Sequence, residues 1–126
     1  MELCIGTAQF GQNYGFVNEY KKVRREESIK ILKLSAQHGV RFVDTAANYG
    51  DAERIIGDLE KEKIELEIIT KIPHFQNQMI SNYDAANVLK SAKNSCFNLR
   101  RETIYGIMLH NGADILKPGG EKLLRA

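Results

Sequence analysis

The sequence predicts an α/β protein made of parallel βα repeats. Short apolar runs alternate along the chain with segments in which apolar residues recur at helical spacing. The helix-to-strand connections are short, as is typical of βα units, and the units repeat at roughly 30 residues. A chain of 126 residues suits one domain.

Four strands and three helices account for most of the chain. The first strand is expected at residues 3–8, and a glycine-containing loop follows at residues 9–18. Gly57 is expected to let its helix pack closely against the sheet, and Pro73 ends the third strand. The remaining predicted elements are a helix at 26–38, a strand at 40–44, a helix at 51–61, a strand at 66–71, a helix at 83–99, a strand at 104–109 and the start of a helix at Glu121.

The charge balance argues against a nucleic-acid partner. The chain has 18 basic and 16 acidic residues, for a net charge of +2. A small basic cluster at residues 21–25 is followed directly by Glu26 and Glu27. We therefore interpret the cluster as a solvated loop and the start of a helix.

The two cysteines and the apolar runs indicate the expected cellular compartment. Cys4 and Cys96 lie far apart in apolar segments, so we expect two buried free thiols rather than a disulfide or a zinc site. No apolar run approaches the roughly 20 residues that span a bilayer, and no secretory leader is visible. We therefore expect a cytoplasmic protein with no membrane partner.

Ionisable residues follow the predicted strands. Asp44 ends the second strand and Tyr49 comes five residues later, whereas Lys71 ends the third strand and His110 follows the fourth. Because the carboxyl ends of parallel strands share one face, the sequence predicts that these four side chains converge.

Taken singly, most of these residues have a plain structural explanation. Asp44 can cap the next turn, Tyr49 can pack in a loop, and His110 can be a hydrogen-bonded structural histidine. Lys71 is more informative, because a lysine at the mouth of a buried strand is costly to desolvate unless a carboxylate compensates it.

Together the four residues suggest delivery of a proton to a carbonyl oxygen. Asp44 would keep Lys71 charged, and a charged Lys71 would make Tyr49 a better proton donor. His110 would hydrogen-bond the substrate oxygen. Such a site suits a reaction in which hydride reaches the carbonyl carbon, and a cofactor must supply that hydride.

The motifs around these residues resemble those of the aldo-keto reductase family. The resemblance extends over nearly the whole chain. Its matching segments are residues 6–11 (GTAQFG), 42–50 (FVDTAANYG), 53 and 57 in the helix that follows, 68–71 (IITK) and 109–111 (LHN).

This resemblance implies the first half of a TIM (β/α)8 barrel in an oxidoreductase that reduces aldehydes or ketones with NADPH or NADH. It implies that Tyr49 is the general acid and that Lys71 and Asp44 tune it. By the same resemblance, His110 orients the carbonyl of the substrate.

The resemblance also implies where the cofactor lies. Thr7, Gln9 and Asp44 would be close to the nicotinamide. The family completes its barrel with four more βα units, which supply most of the remaining cofactor grip. This sequence has about four βα units, so we interpret residues 1–126 as a single truncated domain of this family.

Two other functions stay open on the sequence alone. Four parallel strands cannot close a barrel, so their edges would need a homodimer or a separate C-terminal half. A half-barrel of this kind could instead be a non-catalytic interaction or assembly module. An open doubly wound sheet that binds a nucleotide or flavin is less consistent, because the phosphate-binding glycine pattern is absent.

Overall fold

Four parallel strands and the helices between them make up the described part of the chain. The computed structural model describes residues 2–15, 21–62 and 64–126. Strands and helices follow one another in the predicted order, with one additional short helix after the first strand. The elements are β1 (Cys4–Gly6), α1 (Ala8–Gly11), α2 (Arg25–Gln37), β2 (Phe42–Asp44), α3 (Ala52–Gly57), β3 (Glu67–Ile72), α4 (Asn82–Leu99) and β4 (Gly106–Leu109), with 3-10 segments at Asp58–Glu62, Gly112–Leu116 and Gly120–Leu124.

The strands lie side by side in chain order, β1-β2-β3-β4, and each neighbouring pair is parallel. Asp44 at the end of β2 lies in register with Gly6 of β1 and Ile69 of β3. All four carboxyl ends therefore meet at one edge of the sheet, as a parallel βα arrangement requires.

Side chains alternate between two different faces of the sheet. Val43, Ile68 and Ile72 are buried, whereas Lys71 and Asp44, on the opposite face, are only partly covered. The helices and the core lie on the first face. Its buried cluster consists of Phe10, Leu32, Val43, Ala52, Ile55, Ile56, Leu59, Leu66, Ile68 and Leu99.

Three predicted elements differ from those observed. Residues 8–11 form a short helix at the start of the expected loop, and positions 16–18 of that loop lie outside the described residues. The expected helix at 51–61 is α-helical only to Gly57 and continues as a 3-10 segment, because glycine favours the helix end. The predicted helix at Glu121 is the 3-10 segment Gly120–Leu124.

The prediction of two buried cysteines is wrong. Cys4 is exposed and Cys96 is half-buried. Cys4 lies in register with Phe42, two residues before Asp44, so its side chain projects from the face that carries Asp44 and Lys71, opposite the helices and the core. Burial nevertheless raises the pKa of the Cys4 thiol, and the nearby Asp44 carboxylate raises it further.

Gly57 permits close packing against α4 rather than against the sheet. A Cβ atom at this position would lie 2.4 Å from the backbone oxygen of Asn98 and 2.9 Å from the backbone carbon of Leu99. Both contacts are with backbone, which cannot move aside as a flexible side chain can. The absence of a side chain therefore sets the distance between α3 and α4.

A buried carboxylate joins α3, β3 and α4. Glu53 is only 3% exposed. Its Oε1 accepts a hydrogen bond of 2.7 Å from the Thr70 hydroxyl, and its Oε2 accepts one of 3.0 Å from Asn98 Nδ2. Thr70 directly precedes Lys71 and faces the helices, so this link fixes the outer side of the strand that carries Lys71.

The basic cluster is exposed, as predicted, and two of its residues form ion pairs at the surface. Lys22 Nζ lies 2.5 Å from Asp51 Oδ1, and Arg25 pairs with Asp58. Surface pairs of this kind add little to stability on their own. Among the described residues, no helix combines the length and the apolar character needed to cross a membrane.

Substituting Gly57 with alanine should destabilise the fold. The added methyl group must push α3 away from α4, at a cost of about 1–3 kcal/mol in the free energy of unfolding. Urea unfolding followed by circular dichroism measures this cost. Gly112→Ala is the control, since a Cβ there meets no atom within 4 Å. Equal stability of the two variants would contradict the proposed close packing.

Two threonine-to-valine substitutions test the link through Glu53. Thr70 and Thr45 are both fully buried, but the Thr45 hydroxyl has no hydrogen-bond partner in the described chain. Thr70→Val should cost about 1–3 kcal/mol because it leaves a Glu53 oxygen without its donor. Thr45→Val should be neutral or stabilising. Urea unfolding of both variants would disprove the link if Thr70→Val cost no more than Thr45→Val.

Candidate active site

Lys71 and Asp44 form an ion pair at the carboxyl edge of the sheet. Lys71 Nζ donates a hydrogen bond of 2.5 Å to Asp44 Oδ1 and one of 3.1 Å to the backbone oxygen of Thr45. The Lys71 side chain is 14% exposed and that of Asp44 is 33% exposed. The lysine is therefore largely withdrawn from water and is compensated by the carboxylate, as the sequence predicted.

The Tyr49 ring lies beside both Lys71 and His110. Lys71 Nζ is 5.5 Å from the centroid of the tyrosine ring. The rings of Tyr49 and His110 meet edge to face, with centroids 5.9 Å apart and an interplanar angle of 83°. The structure thus brings all four predicted side chains into one cluster.

Two glycines determine how the Tyr49 loop meets α1. A Cβ atom on Gly11 would lie 1.4 Å from the backbone oxygen of Tyr49. Gly50 has a positive φ of 57°, and a Cβ atom there would lie 2.3 Å from the backbone oxygen of Gly11. The contact between Gly11 and the Tyr49 loop depends on tertiary packing, so it could not be predicted from the sequence.

Thr7 supports the strand end that carries Asp44. Thr7 is fully buried, and its backbone nitrogen and hydroxyl both donate to the Asp44 backbone oxygen, over 3.0 Å and 2.9 Å. Gln9 Nε2 donates to the backbone oxygen of Tyr14 over 3.0 Å. Thr7 and Gln9, which the resemblance placed near a cofactor, are thus next to the cluster and engaged in local hydrogen bonds.

A groove of about 340 Å³ opens beside the cluster. Its size is near the lower limit for sites that hold drug-sized ligands. Among the residues that the structure describes, no group of three potential metal ligands is present. The lining residues are Gly6, Thr7, Ala8, Gln9, Tyr14, Asp44 and Tyr49.

A second polar cluster, centred on Asp114, was missed from the sequence. Asp114 is 1% exposed. Its Oδ2 accepts from the Phe75 backbone nitrogen over 3.1 Å and lies 2.9 Å from His74 Nδ1, while Lys117 Nζ lies 2.7 Å from Oδ1. Burial by itself raises the pKa of Asp114. The ion pair with Lys117 and the hydrogen bonds from Phe75 and His74 nevertheless hold that pKa below its ordinary value.

The comparisons with known proteins bear on the fold and the family. The model of the aldo/keto reductase family matches residues 2–114. Two structures from Pseudomonas aeruginosa, each assigned to the aldo-keto reductases, share 23% identity with the chain, with TM-scores of 0.74 and 0.72. A thermostable aldo-keto reductase, Tm1743, solved with the inhibitor epalrestat, shares 24% identity over 84% of this chain and 36% of its own, with a TM-score of 0.61.

The chain spans about half the length of the structures that it matches. The two Pseudomonas structures cover 97% of this chain, whereas the chain covers 49% and 48% of theirs. The four-stranded parallel sheet with alternating helices matches the first half of an aldo-keto reductase barrel, which confirms the predicted fold class. With a family match over residues 2–114, the chain belongs to the aldo/keto reductase family.

Proposed function

We propose that this chain carries the proton-delivery half of an NAD(P)H-dependent reduction of an aldehyde or ketone to an alcohol. Membership of the family supports oxidoreductase chemistry in general. The observation that carries the finer proposal is the Lys71–Asp44 ion pair beside the Tyr49 ring, with His110 at the same ring.

In this proposal Tyr49 is the general acid that donates a proton to the carbonyl oxygen. The Lys71 ammonium group next to its ring stabilises the negative charge that the phenol acquires as the proton leaves. Asp44 keeps Lys71 charged and oriented through the bond of 2.5 Å, because an unpaired ammonium group withdrawn from water is unfavourable.

His110 orients the substrate in this proposal. Its ring meets the Tyr49 ring edge to face with centroids 5.9 Å apart, so the imidazole lies beside the proposed acid. A donor fixed before the substrate arrives needs little reorganisation during the reaction, which is the basis of its contribution.

The nicotinamide cofactor supplies the hydride when it is bound. The groove lined by Thr7, Gln9 and Asp44 is the part of this chain that we propose receives the nicotinamide end. We propose NADPH as the cofactor, with NADH as the alternative. Neither the groove nor membership of the family distinguishes the two.

We further propose that a second α/β half covers the open edges of the sheet. In the described chain, β1 and β4 each pair with only one neighbour. Apolar side chains near these edges are exposed, with Leu3 61%, Ile107 44% and Met108 45% accessible. Unpaired edges with apolar side chains favour association, so the cover is either a second copy of this chain or a C-terminal half.

The same exposed edges favour one other candidate, a non-catalytic assembly module. In that case the cluster around Lys71 would have only a structural role. The two proposals differ in whether the Tyr49 hydroxyl is needed for turnover.

Replacing Tyr49 with phenylalanine removes the proposed acid and keeps the ring. We expect the rate of carbonyl reduction with NADPH to fall by about 10²–10⁴-fold, with little change in folding. Initial rates with a panel of aldehydes, measured by the loss of NADPH absorbance, give the answer. Tyr83→Phe is the control, because Tyr83 is 75% exposed on α4. Equal turnover by the wild type and Tyr49→Phe would exclude Tyr49 as the acid.

Cofactor binding and the covering of the sheet should be linked. We expect saturable NADPH binding, measured by fluorescence titration, only under conditions where sedimentation velocity shows association. Those conditions are a high protein concentration or the presence of an added C-terminal half. Met108 lies on the same face as Lys71, in register with it. Met108→Lys should therefore weaken both association and binding, because it places a charge on the surface to be covered.

Leu34→Lys provides the matched control, since Leu34 is 58% exposed on α2. It should leave both properties unchanged. Tight NADPH binding by a monomer, unaffected by Met108→Lys, would show that no second half is required.

A further inference from the structure

The loop after β3 and the segment after β4 are joined by Asp114. Both oxygens of this buried carboxylate have a polar neighbour, and Oδ1 has only its ion pair with Lys117, since it accepts no hydrogen bond within the described residues. Oδ2 faces His74 Nδ1 and the Phe75 backbone nitrogen, and Oδ1 faces Lys117 Nζ. Lys117 Nζ also donates to the Phe75 backbone oxygen over 2.5 Å. The partners of Asp114 thus include two consecutive residues of the β3 loop, just beyond Lys71 in the chain.

The hydrogen bonds show that Nδ1 of the His74 ring carries a proton. The lowered pKa of Asp114 keeps it ionised, and an ionised carboxylate can only accept hydrogen bonds. Nδ1 of His74 therefore carries the proton and donates it to Asp114. Asn111 Nδ2 lies 3.3 Å from the same nitrogen, and since both are donors this contact is one of packing.

A short turn connects His110 to Asp114. The His110 backbone nitrogen donates to Ile72 over 3.1 Å, but β4 has no described strand on its other side. The next residue, Asn111, accepts at its Oδ1 from the Ala113 nitrogen over 3.1 Å. Its backbone oxygen accepts from the Asp114 nitrogen, also over 3.1 Å. This turn closes the chain from His110 onto Asp114.

We propose that Asp114, acting through His74 and Asn111, is the positioning residue for His110. This inference rests on the proposed function, in which His110 orients the carbonyl. His110 follows an edge strand, so its strand pairing holds it on one side only. The contacts of Asp114 with His74 and Phe75 supply the second attachment. They connect the segment after His110 to the loop that follows Lys71.

Asp84 provides a matched comparison within the same chain. It too is a buried aspartate, 7% exposed, with a lowered pKa caused chiefly by the Ser81 hydroxyl. It caps α4 by accepting from the Ser81 backbone nitrogen and hydroxyl, and it makes no described hydrogen bond to the His110 segment. A loss that follows only from weakened packing should appear equally in Asp84→Asn and Asp114→Asn.

Nuclear magnetic resonance of the imidazole groups tests the positioning directly. The chain has three histidines, so their ring signals are few and can be assigned with His110→Gln. The Tyr49 ring lies edge to face with His110 at 5.9 Å, and its ring current makes the His110 signals sensitive to small movements. We expect Asp114→Asn and His74→Ala to shift these signals, and Asp84→Asn to leave them in place.

His74→Asn is the conservative variant. An asparagine amide can place its Nδ2 close to the position of the imidazole Nδ1 and donate to Asp114, so the His110 signals should stay near those of the wild type. His74 is 34% exposed, so both of its variants should fold even if Asp114→Asn does not. His74→Ala and His74→Asn then decide the question.

Turnover gives the second measurement. We expect kcat/KM for aldehyde reduction to fall about tenfold or more in Asp114→Asn and His74→Ala, because misplacement of an orienting group by about 1 Å is costly. Unchanged His110 signals in the folded variants, or an equal shift in Asp84→Asn, would overturn the proposal. Absence of carbonyl turnover by the wild type would count against the proposed function alone, since the His110 signals report positioning without turnover.

Discussion

The ion pair between Lys71 and Asp44 is the interaction on which the site depends. Lys71 is 14% exposed at the end of a strand whose alternate residues are fully buried. Removing one member of a pair withdrawn from water leaves an uncompensated charge, which typically costs about 3–5 kcal/mol when burial is complete. Asp44 is one-third exposed, so the cost at this edge is smaller, but its direction is the same. The pair therefore constrains both the stability of this edge and the position of the ammonium group.

This pair requires a particular register of the strands. Asp44 lies opposite Ile69, two residues before Lys71, so both side chains point to the same face of the sheet. A slip of one residue would turn Lys71 toward the helices and expose Ile68 and Ile72. Burial of the apolar residues thus selects the register that brings the ion pair together, and Glu53 reinforces it through Thr70 on the other face.

Residues whose positions follow from strand periodicity can be located from the sequence. Asp44, Lys71 and His110 each come at the end of an apolar run, and parallel strands bring such ends together. Tyr49 was identified from its spacing to Asp44 and from the family motif. The contact that places its loop, Gly11 against the Tyr49 backbone, could not be predicted, because it joins segments separated by a 13-residue helix and a strand.

The Asp114 cluster could not be predicted from the sequence for a similar reason. His74 and Asp114 are 40 residues apart, one in a loop and the other in a 3-10 segment. Irregular segments have no periodicity that predicts which side chains meet. The exposure of Cys4 was likewise missed, because an apolar run predicts a strand without showing which of its side chains face away from the helices.

The site is local to three neighbouring strands, although the fold that the chain matches is a closed barrel. Every contact among Asp44, Tyr49, Lys71 and His110 lies within β2, β3, β4 and the loops that follow them. Their geometry needs the register of adjacent strands and does not need closure of the sheet. Closure matters instead for the environment, since it would cover the face that carries Lys71, remove water and strengthen every charge interaction there. The geometry of the residues that we propose for proton delivery is therefore separate from the enclosure of the site.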